Sequence, residues 1–484
     1  MDSKIVFPYK DAKPRLERYA FNDKLFEGRH WDAFVDRVSN EEFNKQYAQL
    51  KYIAGNFAGL ISKVCADMLF SEKPKIKVSD KKTQDWINAL MFQNSLDIQN
   101  YESALANSRH GDAVYKLRID YLKPGDTEMT VIIEDITPSI YFPTLNAGNM
   151  RAEPSEKELA WVVTIGSNKY LRKEIHTSGK IENKLYLLEG ESIKQEVGIN
   201  LLNEPGLKEE IDTKILQSLV IHVPNWKDGS RYFGYDDYGD LVSLMFGLNN
   251  RITKNENILD KHSDPILALP EGVLDEDGKV KKEAFHMFEI PSESGANPAK
   301  PEYIVWNANL EASFKQIDTI VELLYMFSET SPDAFGMNKN GQAESGRALK
   351  LRLMRTIAKV ARKRLYYDRA LKELIHTAQL LAQAHGVGVY NQVTGKYDIK
   401  VKNPEIPEIE WQDGLPIDSR EAVEEEEIRL RSENTSVVDS IMRLDGVDED
   451  TAIEKAKKIE EEKPSIELPS ASPVIPDEPG SEDQ

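Results

Sequence analysis

Apolar positions recur at three- and four-residue spacing over residues 41–70, where Phe43, Tyr47, Leu50, Ile53, Phe57, Leu60, Val64 and Met68 predict one long amphipathic helix. Two shorter helical patterns follow, TQDWINALMFQ and IQNYESALANSR, the second ended by His110-Gly111. From Asp112 the period drops to two. AVYKLRI, MTVIIEDI, SIYFPTL, LAWVVTI, YLRKEIHT and KLYLLEG alternate as strands do. Turn residues between them, Pro124-Gly125 and Ser178-Gly179, predict an antiparallel sheet or meander. Residues 1–235 therefore read as one α+β domain.

Helical spacing returns over 236–262, with Leu241, Met245, Leu248, Ile252 and Leu259 in one stripe. A second face carries Asn250, Lys254, Asn257 and Lys261 at i, i+4, i+7 and i+11, and Pro265 ends the pattern. DPILALPEG, AFHMFEIP and EYIVWN then predict a compact β insertion, interrupted by a Gly/Ser/Pro/Ala loop at 291–301. The next helix is expected over about 308–328, with Leu310, Phe314, Ile317, Val321, Leu324 and Phe327 on one side and Asn307 or Asn309 as its N-cap. Two helices of ~30–38 Å thus bracket a small β module, as an antiparallel pair carrying it at the far end.

Residues 331–344 read as a polar loop, and the helix behind it is expected to run from 345 to 386, ~60 Å if unbroken. Its apolar stripe is Leu349, Leu353, Ile357, Val360, Tyr367, Leu371 and Leu374. Arg352, Arg355, Lys359 and Arg362 form a basic stripe at i, i+3, i+7 and i+10. A strand pair turning at Thr394-Gly395 follows, then IPEIEWQDGLP, then two or three short charged helices up to residue 463. The Pro/Ser/Glu-rich remainder, 464–484, reads as a disordered acidic tail.

Charge changes this picture. The net charge is -20, and residues 417–484 alone hold 21 Asp/Glu against 8 Lys/Arg. Such a chain lacks the basic face of a sequence-specific DNA binder, though weak contact with nucleic acid stays open. No apolar run approaches the ~18 residues of a membrane span, so no membrane partner is expected. The N-terminus lacks a signal-peptide apolar region, so synthesis and folding in a cytoplasm are expected. The single cysteine, Cys65, sits in LISKVCADMLF and reads as a buried core thiol.

Candidate chemistry is sparse. Gly336 and Gly341 have phosphate-loop spacing, but Gln342 and Ala343 stand where the lysine and the Ser/Thr belong, and the loop follows a helix. LDEDGKVKKE lacks the ligand spacing of a calcium loop, and Asp277-Gly278 reads as a hairpin turn. The eight histidines show no metal-binding spacing. No catalytic residue, metal or cofactor is expected. The basic stripe has two readings, a face that pairs with solvent or an acidic neighbouring subunit, and a row of phosphate contacts.

In the order of its elements the chain resembles the portal (head-to-tail connector) proteins of tailed double-stranded-DNA bacteriophages, of the kind found in long-tailed phages of Gram-positive hosts. SRHGDAVYKLRI (108–119), SPDAFGMNKNGQAESGRALKLRLM (331–354) and IEWQDGLPIDSREAVEEEE (409–427) carry the resemblance. It implies an α+β ring subunit with an α/β wing (1–235 and 345–416), a two-helix stem (236–262 and 307–330), a small β clip (263–306), a long kinked helix and a helical crown (417–463). Residues 331–344 would be the tunnel loop. The implied assembly is a ring of roughly twelve copies at a capsid vertex, assembled in the host cytoplasm and carried in the virion. Implied partners are double-stranded DNA held without sequence preference, the terminase large subunit, a head-tail adaptor, and the major capsid and scaffold proteins. Asn338, Lys339, Asn340, Gln342, Asn250, Lys254, Asn257 and Lys261 would face DNA, and the basic stripe would lock subunit to subunit. The alternatives are another ring-forming component, such as an adaptor, and a phosphate-using enzyme built on the 336–341 loop.

Overall fold

The computed structural model describes residues 6–35, 51–204, 206–263, 266–268, 302–304, 310–337, 346–412, 419–447 and 449–462. It divides into two compact units, 1–343 with 349–414, and 344–348 with 415–484.

The first unit begins with helices α1 (Lys13–Phe26), α2 (His30–Phe34) and α3 (Phe57–Phe70). The helix expected over 41–70 is shorter than its apolar spacing suggests. Residues 51–56 are not helical, and 41–50 lie outside the described residues. Asn56 sets the start of α3 by accepting a hydrogen bond from the Gly59 N–H at 2.9 Å, which satisfies one of the donors a helix leaves open. Cys65 is fully buried inside α3, and burial pushes its thiol up.

Strand β1 (Lys75–Lys77) leads into α4 (Lys81–Gln93), capped by Asp80, and α5 (Leu96–His110). As expected from His110-Gly111, α5 stops on Gly111 at φ 85°. A Cβ there would stand 2.8 Å from the backbone of Tyr235 and Asp236, so this turn needs glycine for both conformation and space. The alternating segments form two antiparallel sheets. One has the order β10 (Val220–Pro224), β2 (Asp112–Asp120), β3 (Thr130–Ile136). The other is a meander of β4 (Tyr141–Thr144), β5 (Glu156–Ile165), β6 (Asn168–Thr177), β7 (Lys180–Glu189) and β8 (Ser192–Val197), with β9 (Glu210–Asp212) added to β7.

The outer edge of β3 is closed by amide side chains. Asn94 accepts from Ile133 N (2.9 Å), and Gln99 accepts from Asp135 N (2.7 Å) and donates to Ile133 O (2.8 Å). These groups occupy the ladder positions another strand would otherwise use.

Helix α6 (Val242–Ser263), strands β11 (Ile266–Ala268) and β12 (Glu302–Ile304), and helix α7 (Leu310–Ser328) give the expected hairpin. The two strands pair antiparallel, with Ile266 opposite Ile304. AFHMFEIP, Asp277-Gly278 and the capping Asn307 and Asn309 lie outside the described residues. The long helix α8 (Gly346–His385) matches its expected bounds within a residue. Strands β13 (Val389–Asn391) and β14 (Lys396–Ile399) follow, and β15 (Glu408–Glu410) pairs with β1. In the second unit α9 (Ser419–Arg431), α10 (Val437–Asp445) and α11 (Glu449–Glu462) form a small helical cluster, tied by Arg443 on Glu426 at 2.8 Å. Among the described residues no helix is long and apolar enough to cross a membrane.

At the amide-capped edge, burial and the nearby Glu102 push the Asp135 carboxyl up to about 7, and its Oδ1 is enclosed without a partner. A folded-state value above the unfolded one means that the folded chain binds the extra proton between about pH 4 and 7, so this group costs stability as pH rises through that window. Asp135→Asn is therefore expected to be more stable than the parent in a urea titration at pH 8, by about 1–3 kcal/mol, and to match it near pH 4. Equal midpoints at both pH values would contradict the assignment.

Candidate functional site

The hairpin, α8, α5 and the loop after β10 meet at one carboxylate. Asp237 lies just before α6, with its side chain 3% exposed. The Lys363 ammonium reaches its Oδ2 at 2.7 Å, and Lys359 stands 3.2 Å from Oδ1. Ser108, near the end of α5, donates its hydroxyl to Oδ2 at 2.6 Å, and Asn225 donates its amide to Oδ1 at 3.1 Å. Lys359 also donates to Ser328 O at the last turn of α7, at 2.9 Å, where the helix leaves carbonyls without internal partners. Burial pushes the Asp237 carboxyl up, but the two lysines overcome that and hold it well below the usual carboxylate range. Burial lowers Lys359, and Asp237 more than restores it, so the ammonium stays charged.

Apolar packing continues the junction along the hairpin. Tyr238, Leu241, Met245, Leu248 and Leu324 bury against Leu25, Phe34, Ala58, Ile61 and Cys65. Tyr238 shares a 2.6 Å hydrogen bond with Ser62, which donates in turn to Ser108. Higher on α6, Asn249 accepts from Gly55 N and lies 3.0 Å from His30 Nδ1, while Lys51 pairs with Asp260 at 2.9 Å. The rear of α6 is thus held along its length by the chain that precedes α3.

Beyond Ser328 the chain turns back on α8. Glu329 adopts a left-handed φ of 56° and receives both Arg355 and Arg362. Ser331 N donates to Thr356 at 2.8 Å, and Arg352 stands 3.5 Å from Asp333. The basic stripe therefore finds its acids inside the same chain. Lys359 does not belong on an outer face with the three arginines, because its side chain turns inward to Asp237 and is 7% exposed. The regular spacing concealed this: Lys359 shares the heading of Lys363 one turn on, and the two point to the core. A cavity of about 410 Å³ lies beside the pair, bordered by Trp226, Asp240, Phe327 and Arg362.

Of the polar stripe on α6, Lys254 is exposed, Asn250 is half-buried, and Asn257 is half-buried with its amide donating to Thr253 O at 2.9 Å. Lys261 lies on the last helical turn, and only its backbone is described. Asn338, Lys339, Asn340 and Gln342 lie outside the described residues. Sequence reasoning missed Asp237, Ser108, Asn225 and Lys363. The available signal was the pair Lys359 and Lys363, which interrupts the apolar stripe of α8 and requires a buried acid. Among the described residues no three His, Cys, Asp or Glu side chains are grouped to hold a metal ion.

The family model "Phage portal protein, SPP1 Gp6-like" matches residues 189–466, more than half of the chain. No curated protein sequence matches. A chain from the virion of a native gene transfer agent particle is similar in structure, with 9% identity and a TM-score of 0.42 over 82% of this chain and 92% of that one.

Removing the carboxylate leaves two enclosed ammonium groups facing each other. Asp237→Ala is expected to cost about 3–5 kcal/mol in a urea titration, whereas Lys254→Ala, on the exposed face, should stay within about 0.5 kcal/mol of the parent. Because the folded carboxyl lies below its unfolded value, its contribution is complete above about pH 4 and is lost as pH falls further. In the Asp237→Ala chain the acid limb of the stability profile should flatten; an unchanged limb would show that other carboxylates produce it.

Proposed function

Because the chain belongs to the phage portal protein family of SPP1 Gp6-like type, we propose that it forms a closed ring at one capsid vertex, through which double-stranded DNA is packaged and later ejected. The family is a structural component of the phage particle and not an enzyme. The observation that carries this reading is the extent of the match, which takes in both hairpin helices, the polar loop, all of α8 and the three helices of the second unit. In this reading about twelve copies close by rotation. Residues 1–235 and 345–416 form the wing, and 236–262 with 307–330 the stem. Residues 263–306 form the clip, which docks the terminase large subunit and afterwards a head-tail adaptor. Residues 331–344 are the tunnel loop, 417–463 the crown, and 464–484 an acidic tail.

Elementary electrostatics supports a conduit of this composition. Duplex DNA carries one charge per about 1.7 Å of axis, and each neutralised phosphate strengthens attachment through counterion release. A basic lining would clamp the duplex. A chain of net charge -20 with its acid concentrated after residue 417 repels it and keeps it free to slide. Sparse lysines, Lys254, Lys261 and Lys339, then supply weak replaceable contacts, and Asn250, Asn257, Asn338, Asn340 and Gln342 line the path without charge. Arg352, Arg355 and Arg362 remain on the face turned to a neighbouring subunit.

Negative-stain imaging with native mass measurement tests the ring: a rotationally symmetric assembly with a hole wide enough for a duplex is expected, and a monomer that hydrolyses ATP would overturn the reading. Removing charge at Lys254, Lys261 and Lys339 together should lower DNA retention in filled heads about several-fold and flatten its dependence on salt. Unchanged packaging and retention would remove these three from the channel.

A further inference from the structure

Helix α8 carries apolar side chains on a face that its own chain leaves open. Leu351, Met354 and Leu365 are 66%, 64% and 73% exposed. Together with Ala358 and Ala361 they stand at i, i+3, i+7, i+10 and i+14, the 3.5-residue period of a seam between two helices. Scattered exposed leucines are ordinary on a protein surface, but a periodic row running ~21 Å along one helix is not. The row is bordered by Arg352, Arg355 and Arg362. Glu329 serves two of these guanidiniums at once, and their side chains remain 65% and 47% exposed, so the border keeps a positive surplus.

Helix α7 presents the counterpart. Its outward side chains Phe314, Asp318, Glu322 and Met326 stand at i, i+4, i+8 and i+12 over ~18 Å. Phe314 and Met326 are 49% and 67% exposed, and both acids are exposed. One helix therefore shows apolar groups edged with positive charge, and the other shows apolar groups with negative charge, over nearly the same length. Inside one copy these two faces do not cover each other, since all of their large apolar groups are open to solvent.

We infer that the Leu351–Leu365 seam of one copy packs on the Phe314–Met326 face of the next copy around the ring. The inference rests on the ring reading and adds which surfaces make it. The contact uses two different patches, so it is head-to-tail and repeats until rotation closes it. The apolar row supplies the buried centre, and Arg355 and Arg362 reach Asp318 and Glu322 at the rim, where opposite charge fixes register more than affinity.

The chain has one native cysteine, Cys65, which is buried, so introduced thiols report their own contacts. Full-length Met354→Cys and Glu322→Cys chains are mixed, assembled and oxidised. Covalent dimers on a denaturing gel are expected at about ten times the level of either chain alone, since only contact between copies joins the two positions. Rings seen by native mass without such dimers overturn the assigned surfaces and leave the ring reading standing; absence of any assembled species removes both. In a second arm, Leu351→Glu with Leu365→Glu is expected to lower the assembled fraction at least about tenfold with the monomer's melting unchanged, because both side chains are exposed before assembly. Assembly at the parent level by that double variant overturns the proposal.

Discussion

Asp237 is the constraint on which the rest of the first unit depends. A carboxylate with 3% of its side chain exposed is tolerable only with its charge matched and its lone pairs filled, and the groups that do this come from α5, the loop after β10 and α8. Lys359 carries the connection onward to the end of α7. The helical hairpin therefore stands on an electrostatic joint as well as on its apolar contacts, and a joint of charges fixes direction more strictly than a greasy contact does. Replacing one member by a hydrophobe leaves the others enclosed and unmatched.

Much of this was legible in the sequence because periodicity reports burial. The change from a 3.6-residue to a two-residue repeat at Asp112 marks the passage from α5 into β2, and the repeat over 345–386 locates α8. Two features escaped for physical reasons. The apolar spacing before Phe57 continues back through Ile53, yet the Asn56 cap starts the helix only at Phe57, which a count of apolar positions cannot register. Lys359 looks like its arginine neighbours in a linear pattern. Only the three-dimensional return of Asp237, from more than a hundred residues upstream, decides that it faces inward. The polar stripe of α6 was legible as a face, although which of its members meet another molecule depends on copies of the chain that one sequence does not place.

A portal must combine firmness with indifference. Enclosed pairs such as Lys116 with Glu174 (2.7 Å), and the Asp237 cluster, hold the subunit, while the surplus acid is concentrated after residue 417 of the sequence. Glu174 shows how strongly the inner pairs are set, since its carboxyl is held at about 2 by His176 and Lys116 despite burial that pushes it up. The enclosed pairs are strong because their surroundings exclude water, whereas the same residue types on the surface are screened by solvent and salt.

The pairing of β1 with β15 has a consequence in time. Ile76 lies opposite Ile409, so a ribosome adding about 5–20 residues per second synthesises the two sides of this ladder roughly 20–70 s apart. Asp237 likewise emerges long before the lysines that neutralise it. A nascent subunit cannot complete its charge joint before Lys363 has emerged, nor close this ladder before Ile409 has.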